Sequence, residues 1–508
     1  MLKAEALKNP NSKAERLRFL MQEIADLQSA SSVLQWDQET YIPSGASSYR
    51  SRQIATLAGL SHEKFTSGEI SVLVNSLLQE NQADQLYHRS LLRIKKDLSR
   101  KEKLNRAFVE QLSHATSEGL SSWEKARKLN EFKVFSPSLN NLVALKKNEC
   151  ELIGYKSHPY DALVEEFEPG MTKTLLDSIF NKLLPHLNDL FNRIKGTNSV
   201  PDNKFLLGHF DSKIQWEMGL KLLKQIGFDF KRGRQDLSIH PFTITTSPDD
   251  VRITTRISEE NFTEMLWSCL HEAGHAIYEQ GLSKGMYGFP SSEAASLGIH
   301  ESQSRLWENQ IGRELPFWMG NYSILKDSFP LQFEKIDLSE FYNGINIVEP
   351  GLIRTNADEL TYHYHVYIRY KLECLLIENK LNVNDLPDAW NDLYFNLLGV
   401  KPLSPVEGIL QDVHWAHGSF GYFPTYSLGS LYAAQFYAAA KQSNPLLEQE
   451  LTEGNTAQLL QWLSENIFAK GRLFDSEEIC KMATGSGLNS DIFINYLTKK
   501  YQTVYQFS

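Results

Sequence analysis

His271-Glu272-Ala273-Gly274-His275 is the stretch that decides how this chain is read. Around it Phe262, Met265, Leu266, Cys269, Ala273 and Ile277 recur at helical spacing. Ser258 is the expected N-cap, Glu259 and Glu260 complement the positive end of the dipole, and Gly281 is the expected stop. On such a helix the two histidines lie on one face, about a turn apart. Two imidazoles so placed can hold one zinc ion, and Glu272 can then reach an attacking water as general base. A chain of 508 residues meets H-E-x-x-H by accident only on the order of a few per cent of the time. This is the arrangement a metallopeptidase needs.

Two histidines and a water leave one position for a third protein ligand, usually from a second helix. Glu301, 26 residues past His275, lies in Gly298-Ile299-His300-Glu301-Ser302-Gln303, after a loop containing Gly285, Gly288 and Pro290. The neighbouring His300 could ligate as well, and spacing alone does not choose between them.

Composition narrows the setting. The net charge of −10 argues against nucleic acid or an anionic membrane as an obligate partner. Cys150, Cys269, Cys374 and Cys480 are scattered without a C-x-x-C, which suits a reducing compartment. Met1 to Ala6 lack the apolar core of a signal peptide, and no stretch approaches the roughly 20 apolar residues of a membrane span. A soluble, cytoplasmic protein is expected. Leu17 to Leu34, Gln85 to Leu112 and Met171 to Ile194 read as long helices, with Pro and Gly falling between such segments. One region differs. Ile239 to Thr246, the turn Ser247-Pro248-Asp249-Asp250, and Val251 to Arg256 read as a β-hairpin whose edge could hold an extended peptide. No linker divides residues 1–508, so a single helical unit is expected. His363 and His365 are two apart and diverge on a helix, so they read as ordinary histidines.

Further motifs point to a family. His240-Pro241-Phe242, Asp250-Val251-Arg252-Ile253-Thr254, His300-Glu301-Ser302-Gln303, Ile353-Arg354-Thr355-Asn356-Ala357-Asp358 and Gly408-Ile409-Leu410-Gln411-Asp412-Val413-His414-Trp415 follow in order. Phe420 to Tyr426 come next, and Trp36-Asp37, Tyr160 to Leu163 and Glu168 to Thr172 precede them. In these the chain resembles the carboxypeptidase Taq family of metallocarboxypeptidases, over nearly its whole length.

The resemblance implies a mainly α fold like neurolysin and angiotensin-converting enzyme, with the metal on the floor of a deep groove and a small β-hairpin or sheet beside the zinc helix. It implies one Zn2+ per chain, for which Co2+ or Mn2+ could substitute, held by His271, His275 and Glu301 rather than His300. It implies release of single residues from peptides with a free C-terminus, with Glu272 as base. A dipeptidase or short-peptide endopeptidase on the same scaffold, or a binding protein that merely retains the motifs, are the rival readings. Arginine meets a carboxylate bidentately. Arg354, read alone an ordinary ion-pairing residue, becomes the first candidate for the substrate carboxylate, with Asp358 orienting it. Arg252 is the second candidate, or a brace for the hairpin through Asp250. His414 and Tyr426 are candidate oxyanion donors, with Tyr422 behind them and His240 lining the site. A homodimer is expected on resemblance alone.

Overall fold

The computed structural model describes residues 12–80 and 84–507. The amino-terminal residues read above for a signal peptide lie outside them. The fold is mainly helical, with one three-stranded sheet. No helix among the described residues is long and apolar enough to cross a membrane.

The hairpin is present as β2 (Thr243–Ser247) and β3 (Asp250–Thr255), antiparallel, with Ile244 opposite Arg252. Sequence reading missed β1 (Gly233–Leu237), which runs parallel to β3 and gives the order β1-β3-β2. Val251 and Ile253 of the central strand are buried with Cys269 of the helix Phe262–Gly281. That helix, which carries both histidines, begins three residues later than expected. Its N-cap is Asn261, whose side chain accepts the Thr263 N–H. Ser258 cannot cap it, because the Glu259 and Glu260 carbonyls accept the N–H groups of Phe210 and Gly208 and are not available to a helix. The helix does end at Gly281, where Leu282 turns to an extended conformation, and glycine at 281 also leaves room for the Phe468 ring, which a Cβ would strike. The expected helix Gln85 to Leu112 is broken, into Gln85–Glu102 and Arg106–Leu129, because Asn105 caps the second piece through the Phe108 N–H.

Two apolar clusters form. The larger contains the histidine helix, Leu297–Arg305, Tyr362–Ile377 and Pro424–Ser443. The smaller belongs to amino-terminal helices, where Leu17, Leu20, Met21 and Ile24 (i, i+3, i+4, i+7) meet Ile70, Val74, Leu91, Ile94 and Leu98. One member comes from far along the chain: Phe289, fully buried, from the loop between the two helices that carry His275 and Glu301. Burying a side chain of that size is worth roughly 2 kcal/mol. Gly288 makes the insertion possible, since its φ is +85° and a Cβ would lie 2.6 Å from the Met21 carbonyl oxygen.

The helix Leu297–Arg305 is clamped between two glycines. A Cβ on Gly274 would lie 2.5 Å from the Ser304 Cα, and one on Gly429 would lie 2.5 Å from the Glu301 Cγ. Gly274→Ala and Gly429→Ala are each expected to cost about 1–3 kcal/mol of stability by overpacking. Gly59, in an exposed helix with nothing within 4 Å of a Cβ, is the control, where alanine should stabilise by roughly 0.5–1 kcal/mol. Chemical denaturation of the three variants is the check, and equal stabilities would refute the clamp.

Candidate metal centre and active site

The helix Phe262–Gly281 directs His271 and His275 to one side, and Leu297–Arg305 crosses it to bring in Glu301. Glu301 Oε2 lies 3.8 Å from His271 Nε2 and 3.6 Å from His275 Nε2. All three ligand atoms fall within 4.8 Å of one another. Ligand atoms around a tetrahedral ion, with bonds of about 2.1 Å, stand about 3.4 Å apart, so the set fits a zinc-like ion. His300 is not in it. Its ring stacks on His275 at 4.3 Å and its Nε2 meets Glu279 at 2.9 Å.

The far nitrogens of both imidazoles are held. His275 Nδ1 lies 3.0 Å from the His300 carbonyl oxygen, and His271 Nδ1 lies 2.9 Å from Glu308 Oε2. Such partners fix which nitrogen faces the metal. Glu308 sits in a π-helical stretch, Leu306–Ile311, that continues the Glu301 helix. Between the two carboxylates Arg305 donates Nε to Glu301 at 2.7 Å and NH1 to Glu308 at 3.2 Å. Burial alone would raise Glu308, but Arg305, His271 and Arg313 outweigh it and hold the carboxyl at about 2. Sequence reading missed Glu308 and Arg305. The available signal was their spacing, four and seven residues past Glu301 on one helical face.

Glu272 is buried, and its Oε2 accepts the Thr243 hydroxyl at 2.6 Å. Burial raises its pKa, partly opposed by His271 and by the Thr243 bond.

Arg354 is buried beside a different acid from the one expected. Its Nε and NH2 both donate to Asp412 Oδ1, at 3.0 and 2.8 Å, and NH1 reaches the Tyr362 hydroxyl at 3.3 Å. Asp358 instead accepts the N–H groups of Glu349, Leu360 and Thr361, closing its own turn. Tyr362 joins Arg354 to the His271, His275 and Glu301 group, because Arg305 lies over its ring at 4.2 Å. His414 Nε2 and the Tyr426 hydroxyl are 3.1 Å apart, and the Arg354 guanidinium lies 4.7 Å from the Tyr426 ring centroid. Tyr422 stands against His414 at 5.0 Å, with Phe167 on its other flank at 5.2 Å. Burial lowers His414 to about 3 and raises Tyr426 well above its usual range, so both are neutral near pH 7. Buried Glu373 fastens this loop, accepting from Trp415 Nε1 at 2.8 Å, the Gly421 N–H at 2.9 Å and the Tyr160 hydroxyl at 2.7 Å.

Two candidates stand apart from this group. Arg252 is paired with Asp250 through Nε at 2.9 Å and NH2 at 2.7 Å, and covers the Trp36 ring at 4.5 Å. His240 is exposed in the turn before β2. His363 and His365 are fully buried, bonded to Ser427 and Tyr394, away from the ligand set.

Glu308→Gln keeps the shape but loses the charge that holds His271. Metal affinity is expected to fall about 10- to 100-fold, measured by competition with a chromophoric chelator. Wild-type affinity would remove Glu308 from the site.

The model of the carboxypeptidase Taq (M32) metallopeptidase family matches residues 16–501. Carboxypeptidase 1 of Bacillus subtilis (strain 168) is 37% identical over 487 residues, covering 96% of this chain and 97% of that one. Thermostable carboxypeptidase 1 of Thermus thermophilus is 38% identical over 510 residues, covering 98% and 99%. The crystal structure of the M32 carboxypeptidase from Deinococcus radiodurans R1 superposes with a TM-score of 0.95 at 36% identity, over 97% of this chain and 100% of that one. Alike in sequence and in fold across nearly all its length, the chain belongs to the carboxypeptidase Taq family of metallopeptidases.

Proposed function

We propose that the protein is a zinc-dependent carboxypeptidase that releases single residues from the C-termini of peptides, acting as one catalytic unit over residues 1–508. The observation that carries this reading is the convergence of His271, His275 and Glu301 beside a Glu272 whose carboxylate is steadied by Thr243. A divalent ion held by those three side chains would polarise the scissile carbonyl and make water acidic near neutral pH. Co2+ or Mn2+ would suit the same nitrogen and oxygen donors.

The protein's own groups would do the rest. Thr243 occupies one face of the Glu272 carboxylate, which leaves the other lone pairs to take a proton from the attacking water and pass it to the leaving amine. Tyr426, kept protonated by burial, offers its hydroxyl to the developing oxyanion, and His414 holds that hydroxyl in place. Asp412 engages only one edge of the Arg354 fork, through Nε and NH2. NH1 reaches the Tyr362 hydroxyl at 3.3 Å, and the second hydrogens of NH1 and NH2 would take the carboxylate of the peptide, setting the last peptide bond over His271, His275 and Glu301. Backbone pairing alternates along an antiparallel edge strand, so β2 could hold the peptide extended beside Glu272. Its far end is partly taken, since Ser29 donates to the Thr246 carbonyl. Arg252 then serves as a brace and not as an anchor, Tyr422 packs behind His414, and the exposed His240 before β2 would line the path of the peptide along that strand. We place the enzyme in the cytoplasm as a homodimer, on the resemblance and the four free, buried cysteines.

Two measurements test this reading. A blocked dipeptide should lose its C-terminal residue only when metal is present, and Glu272→Gln should bind metal yet lose turnover by several orders of magnitude. Near-wild-type hydrolysis by the metal-loaded variant would overturn the assignment of the base. Light scattering at micromolar concentration should return twice the chain mass of 58.1 kDa, and a monomer mass would exclude the dimer.

A further inference from the structure

Arg369 is fully buried, on the helix Tyr362–Ile377. Its Nε donates to Asp412 Oδ2 at 2.6 Å, while Arg354 takes Oδ1. Its NH1 donates to the His365 carbonyl at 2.7 Å and reaches the Tyr394 hydroxyl at 3.2 Å. Trp390 covers the guanidinium at 4.5 Å. Its NH2 is buried without a hydrogen-bond partner. Among the described residues Asp412 is the one carboxylate ion-paired with either arginine. Two guanidiniums and one carboxylate leave a buried surplus of one positive charge, and the neutral His414 does not change the count.

That surplus is costly unless an anion completes the set, because an unpaired buried charge loses its hydration. A lone Arg354–Asp412 pair would be neutral and would attract a peptide carboxylate only weakly. We propose that Arg369 is a positioning and charge-setting residue for substrate recognition: by claiming Asp412 from the rear, it leaves the Arg354 fork with a net positive charge for the free α-carboxylate of the peptide. Arg369 touches no substrate and acts only through Asp412. The proposal rests on the reading of Arg354 given above.

The test compares kcat/KM for a blocked dipeptide acid and its C-terminal amide, in the metal-loaded enzyme and its variants. Arg369→Met keeps much of the side chain's volume and removes its charge. It is expected to lower the acid-to-amide ratio about 10- to 100-fold, chiefly through KM for the acid. Arg369→Lys restores the charge and should recover most of the ratio. Adding Asp412→Asn to Arg369→Met returns the count to one positive charge and should recover part of it. Equal losses on both substrates, or no recovery in either rescue, would overturn the proposal. Should Arg369→Met fail to fold, Arg369→Gln, which keeps a neutral donor toward Asp412, carries the test: the acid-to-amide ratio is then expected to fall by a similar factor, and an unchanged ratio refutes the charge argument. Arg354→Ala separates the two claims. If it leaves the ratio unchanged, the carboxylate reading itself has failed. If it abolishes the ratio while Arg369→Met does not, only the role of Arg369 is lost.

Discussion

The structure depends on how closely one short helix is allowed to approach its neighbours. The helix Leu297–Arg305 touches backbone on one face through Gly274 and is met by Gly429 on the other. Both contacts are shorter than any side chain permits, so the position of Glu301 relative to the two histidines is set by main chain on both sides. Main chain in a packed core moves little, because interiors have the density of organic crystals. A third ligand from a distant part of the chain thereby gains nearly the precision of two ligands on one helix. The glycine inside His271-Glu272-Ala273-Gly274-His275 belongs to this geometry as much as the histidines do.

Buried charge is organised by alternation. Glu301 and Glu308 share Arg305, and Arg354 and Arg369 share Asp412. Tyr362 stands between the two triads, covered by Arg305 and reached by Arg354. In the first group Arg313 also reaches Glu308, at 3.7 Å, so its charges balance beside the two histidines; the second keeps one surplus positive charge and suits an anion. A peptide carboxylate drawn to the second group would be oriented by charge before any side-chain pocket is involved.

The parts of the molecule visible in sequence were those carried by short, regular spacing. The i, i+4 histidines, the adjacent Glu272 and the Thr- and Ile-rich hairpin all belong to this kind. What stayed hidden arises from long-range packing. β1 is Gly-Arg-Gln-Asp-Leu, with neither the β-branched content nor the alternation that marks a strand. Asp358 is a near neighbour of Arg354 in sequence, yet the acid that pairs with it is 58 residues further on, because Asp358 is consumed by its own turn. Arg369 lies on a helix buried on most of its faces, where no amphipathic stripe distinguishes a functional position from a core one.

Phe289 belongs to the loop that joins the two ligand-bearing helices, yet it completes the apolar cluster of the amino-terminal helices. This sets an order of assembly on the ribosome. The helices from Lys13 to Glu102 are synthesised first, but their core stays one large aromatic short until residue 289 has left the exit tunnel. These helices therefore lack part of their packing until a segment that follows the histidine helix in sequence is available. The same loop thus ties the packing of the amino-terminal helices to the span between His275 and Glu301.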